Sequence, residues 1–262
     1  MGPLLEQLYA AYNRPELIDP DPLAPVLRYG LPEDQELVGL VAASLAFGNV
    51  KQILVSIENV LGILPEPRAT LTAMSPASLR QALAGFRHRY ASGEDMAALL
   101  IGARAAIQRH GSLGACFRAH LRPDHLDVVP ALAGFSAELR ALGGQERNYL
   151  LCDASKGSAN KRWCMYLRWM LRRDTVDPGT WSALASPALL VVPVDTHMHR
   201  FCGALGMTRR ATADMKTAQE ITAAFRLVAP DDPARYDFSL TRLGIRRETE
   251  AATAFLDAAR GI

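Results

Sequence analysis

Apolar positions recur at three- and four-residue intervals along nearly the whole chain, the spacing that places them on one face of an α-helix. Residues 3–13 give a first amphipathic helix. The Asp19-Pro-Asp-Pro stretch after it is extended, because each proline disfavours helix in the residue before it. From Pro32 to Leu64 the pattern predicts two helices broken at Phe47-Gly48-Asn49, where glycine and asparagine act as punctuation. Helical periodicity returns over residues 76–86, 95–110 and 112–120, and RPDHLDVVP makes a linker. Residues 130–142 are helical, with Gly143-Gly144 as the stop. A small-residue turn then runs into a helix at Lys161, Pro178-Gly179 falls in a loop, and another helix follows Asp195. Thr217–Val228 is helical, APDDPARY is a turn-rich connection, and Phe238–Arg260 closes the chain. One short β-branched run, Leu189–Val194, reads as a strand or as an extended lead-in. The expectation is an all-α chain of roughly a dozen helices in two lobes, with no internal repeat.

Composition narrows the classes. At 262 residues the chain can bury a full core, and no apolar run is long enough for a membrane span although apolar residues make up 49%. The opening MGPLLEQLYAAYNRPE acquires Glu6 early and lacks a basic segment followed by an apolar one, so no signal peptide is expected and the expected address is cytoplasmic. A net charge of +2 permits nucleic acid as a partner without arguing for it; a basic footprint has to be local. Cys116, Cys152, Cys164 and Cys202 form no C-x-x-C pair, which argues against a zinc ribbon, a disulfide framework and a cubane cluster. No metal and no cofactor are expected.

Two helix starts carry the candidate chemistry, GSANKRWCMYLRWMLRRD and VVPVDTHMHRF. On a helical wheel Trp163, Tyr166, Leu167, Met170 and Leu171 fall on one side, and Lys161, Met165, Arg168 and Arg172 on the other. An ordinary reading is a core face and a solvated basic face. Lys161, however, follows a small-residue turn and opens a helix, where the dipole disfavours a cation and so favours the neutral, nucleophilic amine. Asp195 is a preferred N-cap residue, and a carboxylate fixed by its own helix is also pre-oriented for chemistry. Asp195, His199 and Cys202 share a face at i, i+4 and i+7, a weak metal signal without a fourth ligand.

The lysine helix followed by Pro-Val-Asp-x-His resembles the helix-hairpin-helix DNA glycosylases, with GSANK where those enzymes have a G-x-G-x-K turn. Lys161 and Asp195 are 34 residues apart, which is similar to the archaeal 8-oxoguanine branch. The chain also looks like a bacterial family of unknown function sharing the KRWCMYLRWMLRRD, VDTHMHR and YDFSLTRLGI blocks. The helix from Glu36 to Ala46 and the Tyr236–Gly244 segment are similar to an early helix and a late helix of the glycosylases, and the four blocks together extend from residue 36 to 244. Two features depart from the pattern: Ala159 stands where a second hairpin glycine is usual, and no four-cysteine cluster follows the last helix.

What the resemblance implies is a single two-lobed helical domain with a cleft between the lobes, built from helices 35–64, elements near 150–205 and the helix 236–260. It implies a monomeric enzyme that excises a damaged base, an oxidised purine first, from double-stranded DNA. Lys161 would be the nucleophile and Asp195 its partner. Phe47, Asn49, Gln52, Pro193, Asp237 and Phe238 would meet the base or its vacated partner, although Phe47 and Phe238 also read as core. Lys51, Lys156, Gly157, Ser158, Arg168, Arg172 and His197 would contact DNA, although the two arginines also read as partners of surface carboxylates. Two other classes stand beside this one: a non-catalytic nucleic-acid-binding module on the same fold, and a metal-dependent hydrolase using Asp195, His197, His199 and His110.

Overall fold

The structure, a computed structural model, describes residues 1–245 and Phe255. Within that range it is mostly α-helical, and the chain forms two compact units. One is Asp19–Lys156; the other joins Met1–Ile18 to the chain from Gly157 onward. The first helix, α1 (Gly2–Tyr12), belongs to the second of these.

The Asp19–Lys156 unit carries α2 (Ala24–Leu27), α3 (Pro32–Leu45), α4 (Val50–Ile63), α5 (Pro67–Ala73), α6 (Pro76–Ala82), α7 (Gly93–His110), α8 (Leu113–His120) and α9 (Val129–Gly143). Every residue of α3 from Glu36 to Leu45 is buried, so this helix is apolar on all sides rather than amphipathic. Glu36 is the charged residue of this run, and the fold uses it: its carboxylate accepts the backbone N–H groups of Leu113 and Gly114, each at 2.9 Å, at the start of α8. The long α7 is started by a capping box in which Ser92 and Asp95 bond each other's backbone N–H groups. Between α6 and α7 lies a hairpin that periodicity missed, β1 (Arg87–His88) paired antiparallel with β2 (Ala91–Ser92). The predicted helix 76–86 therefore stops at Ala82. Two residues per strand leave no alternation to read.

The other unit gathers α1, α10 (Lys161–Leu171), α11 (Thr196–Ala204), α12 (Met215–Arg226) and α13 (Asp237–Ile245). Leu190–Val194 is buried and extended rather than a strand, and the Val192 N–H donates to the Thr222 hydroxyl at 3.0 Å. The expected closing helix to Arg260 is described only as far as Ile245; the rest of that expectation, Phe255 excepted, lies outside the described residues. No helix among the described residues is long and apolar enough to cross a membrane.

The expected solvated face of α10 does not exist. Every residue from Trp163 to Leu171 is buried, Arg168 included. The polar stripe on the helical wheel is real, but it faces a layer of carboxylates supplied by Asp174, Asp177, Asp232 and Asp237.

Candidate active site

The turn before α10 is held at both edges. Gly157 has φ +76°, a left-handed conformation that L side chains rarely adopt, and its carbonyl accepts the Met215 N–H at 3.0 Å. Ser158 forms an isolated antiparallel bridge with Asp214, the N-cap of α12, and its hydroxyl donates to the Asn160 side-chain oxygen at 3.0 Å. Asn160 is itself left-handed, with φ 49° and ψ 35°, and reverses the chain into α10. Lys161 is thus the first helical residue. Ala159 points inward and is buried, while Gly157 and Ser158 are exposed. The departure from the two-glycine pattern therefore adds no side chain to the exposed edge of the turn.

Asp195 reaches the same place from the other direction. The buried Leu190–Val194 segment delivers it, extended, as the N-cap of α11. One carboxylate oxygen, Oδ1, accepts the Met198 N–H at 2.9 Å. The other, Oδ2, lies 3.8 Å from Lys161 Nζ. Capping and pairing are therefore carried by different oxygens of one group. The side chains are 34% and 45% exposed, so the pair is open to a ligand yet supported from below.

Asp237, buried and hydrogen-bonded to Arg168, interacts electrostatically with both members of the pair. Burial pushes the Asp237 carboxyl up; Arg168 opposes this most strongly, Lys161 adds to the opposition, and Asp195 raises it further. The exposed pair and the buried one are thus in one electrostatic field. Arg168 also donates to Asp177 at 3.0 Å, and Arg172 binds Asp177 and Asp174 at 2.7 Å and Asp232 at 2.8 Å.

These contacts bear on several of the expected roles. Arg168 and Arg172 are 4% and 2% exposed and committed to carboxylates, so neither contacts a phosphate. Asp237 lies behind the surface with Arg168 on its carboxylate, and Phe238 is core, with the Arg242 guanidinium carbon 4.6 Å from its ring centre. Pro193 is buried as well and shapes the approach to Asp195 from within. His197 is exposed on the first turn of α11.

The remaining predicted contacts lie in the Asp19–Lys156 unit. Asn49 caps α4 by accepting the Lys51 N–H at 3.0 Å; Asn49, Lys51, Gln52 and Lys156 are exposed, and Phe47 is half-buried. His88 was not singled out from the sequence, yet it holds this loop. Its Nδ1 meets the Ser56 hydroxyl at 2.8 Å and its Nε2 the Phe47 carbonyl at 3.1 Å. A pocket of about 520 Å³ beside it is lined by Lys51, Arg87 and Arg89 and by no carboxylate. Phe47, Tyr149 and Tyr90 follow one another at ring separations of 5.1 and 5.8 Å. The run Arg87-His88-Arg89-Tyr90 was the available signal for this surface.

Among the described residues Asp195, His197 and His199 form no metal-ligand cluster. His199 Nε2 lies 2.8 Å from the Arg210 carbonyl oxygen, which fixes it as the protonated nitrogen, and Cys202 is buried, its thiol pushed up to about 12 by burial and then by Asp237. His110 joins Cys116 and Glu138 instead.

Comparison with known families gives one match. The model of the family described as a protein of unknown function (DUF2400) matches residues 21–246, and the chain belongs to that family. No curated protein and no solved structure matches it.

Proposed function

We propose that this helical chain is of the helix-hairpin-helix DNA glycosylase type and acts as a base-excision enzyme with abasic-site lyase activity. The observation that supports this most is the Lys161 amine 3.8 Å from the Asp195 carboxylate, each group opening its own helix. A base in duplex DNA has to leave the stack before its glycosidic bond can be reached. With the nucleotide extruded, the Lys161 amine attacks C1′ of the sugar, and the base departs with the bonding electrons and takes up a proton. Asp195 accepts the proton that the amine sheds and stabilises the positive charge that develops on the sugar. The C1′–O4′ bond then breaks, O4′ takes up a proton and the amine nitrogen forms an imine with C1′; the imine acidifies C2′, and loss of that proton expels the 3′ phosphate by β-elimination. Asp195 Oδ2 is available for this work because Oδ1 carries the cap. Oxidised purines such as 8-oxoguanine are the first substrates to offer, on the resemblance of the Lys161 and Asp195 segments.

The rival reading is a non-catalytic nucleic-acid-binding module, favoured by the exposure of the pair. An ion pair this open is worth only about 0–1 kcal/mol and is a common surface feature. A panel of duplexes carrying 8-oxoguanine, alkylated purines, oxidised pyrimidines, uracil or a bare abasic site separates the two. Base release or strand cleavage on any member, lost in Lys161→Ala, supports the enzyme. Tight binding without turnover on every member supports the module.

A further inference from the structure

We infer that His110, Cys116, His120 and Glu138 form a binding site for a zinc-type divalent metal ion in the Asp19–Lys156 unit, away from Lys161 and Asp195 in sequence and independent of the glycosylase reading. The ligand atoms of His110, Cys116 and Glu138 all lie within 4.8 Å of one another. His110 Nε2 is 2.9 Å from Glu138 Oε1, Cys116 Sγ is 3.6 Å from Oε2, and His120 Nε2 is 2.8 Å from Oε2. A tetrahedral zinc with bonds of about 2.0–2.3 Å separates its donors by about 3.3–3.8 Å. His110, Cys116 and Glu138 lie near that spacing, while His120, which touches Glu138 but lies outside the 4.8 Å group, has to swing inward to become the fourth ligand.

Three helix segments build the site. His110 is the last residue of α7, where the helix dipole favours a cation. Cys116 and His120 are one turn apart on α8 and face the same way. Glu138 lies on α9, one turn beyond Gly134. A Cβ at Gly134 would stand 2.5 Å from the His120 ring nitrogen Nδ1, so the glycine is what lets this ring lie flat against α9 and aim Nε2 at the carboxylate. Nitrogen, sulfur and oxygen donors in this mixture suit zinc, and one thiolate with one carboxylate neutralises a divalent ion. Arg109, which now donates to Glu138 at 2.8 Å, has a side chain 58% exposed and can swing into water when the metal takes its place. On binding, the Cys116 thiol proton leaves to solvent, and each histidine presents an unprotonated Nε2 to the metal with its ring proton on Nδ1. The sequence concealed this set because its spacing, with three residues between Cys116 and His120 and a ligand one helix later, matches no C-x-x-C framework.

The test is a titration of the full chain, stripped with a chelator under reducing conditions, with Co²⁺ by absorbance and with Zn²⁺ against a chromophoric chelator. One equivalent of Co²⁺ should bind with a thiolate-to-metal charge-transfer band. Cys116→Ser should lose the band. His120→Asn, at a half-exposed position, and Gly134→Ala should keep the band and weaken zinc binding by more than about tenfold. A wild-type chain that binds neither ion in excess metal overturns the site, as does a charge-transfer band that survives in Cys116→Ser.

Discussion

Arg172 is the residue on which most of the buried charge converges. It meets Asp174, Asp177 and Asp232 at once, and Asp177 lies wholly inside. Removing one partner of a buried ion pair leaves the other charge uncompensated, at a cost of about 3–5 kcal/mol. Arg172→Ala should therefore lower the midpoint of chemical denaturation by a corresponding amount, whereas an arginine on a solvated face would shift it little. Asp174 gives the pH dependence of the same cluster. Burial pushes its carboxyl up, but Arg172, the Asp177 and Val176 N–H groups and the Tyr9 hydroxyl more than reverse this and hold it at about 2. The folded value lies below the unfolded one, so its contribution is present above about pH 4 and is lost as pH falls towards 2. The stability gap between wild type and Asp174→Asn, followed by urea denaturation, should narrow over that window. At the candidate site, Asp195→Asn should slow turnover and leave DNA affinity and folding nearly unchanged, because asparagine caps a helix about as well as aspartate but lacks its charge. Equal loss of turnover and DNA binding would instead make Asp195 a binding residue.

At the scale of the element, some ends marked by side-chain chemistry were read and others were missed. Asp195 and the Gly143-Gly144 stop fall where they were expected, and Ser112 caps α8 at the head of the expected 112–120 span, whereas Ser92 and Asp95 start α7 at Gly93, ahead of the start expected at residue 95. The hairpin at Arg87–Ser92 was not legible, because its turn uses Arg89 at φ 53° where a glycine or asparagine would have been the cue. The α10 helix failed in a different way. Its two faces were read correctly as apolar and basic, but a sequence pattern cannot tell water from a buried layer of aspartates. Asp174 and Asp177 lie within a turn or two of the helix end, yet Asp232 and Asp237 arrive some sixty residues later. Ser92→Ala tests the capping argument: it should cost about 1 kcal/mol by removing the N-cap of the longest helix in its unit, read as a lower thermal midpoint with unchanged helical signal.

For the whole molecule, helical class was recoverable because nearly every core position obeys one period. The meeting of Lys161 with Asp195 was recoverable only through the resemblance carried by their two helix starts. Spacing alone says nothing about which helix ends converge across 34 residues. Of the two readings of Arg168 and Arg172, pairing with carboxylates holds, though the carboxylates are buried rather than at the surface, and in the other unit Lys51, Arg87 and Arg89 line a pocket whose lining includes no carboxylate. The central claim is that one nitrogen atom bonds to sugar, and reduction with borohydride makes that bond permanent. Wild-type protein incubated with an abasic-site duplex and borohydride, then digested and sequenced by mass spectrometry, should carry the deoxyribose remnant on Lys161, with none on Lys156 or Lys216 and no adduct in Lys161→Ala. An adduct on another lysine, or none on any substrate that the protein demonstrably binds, would contradict the account.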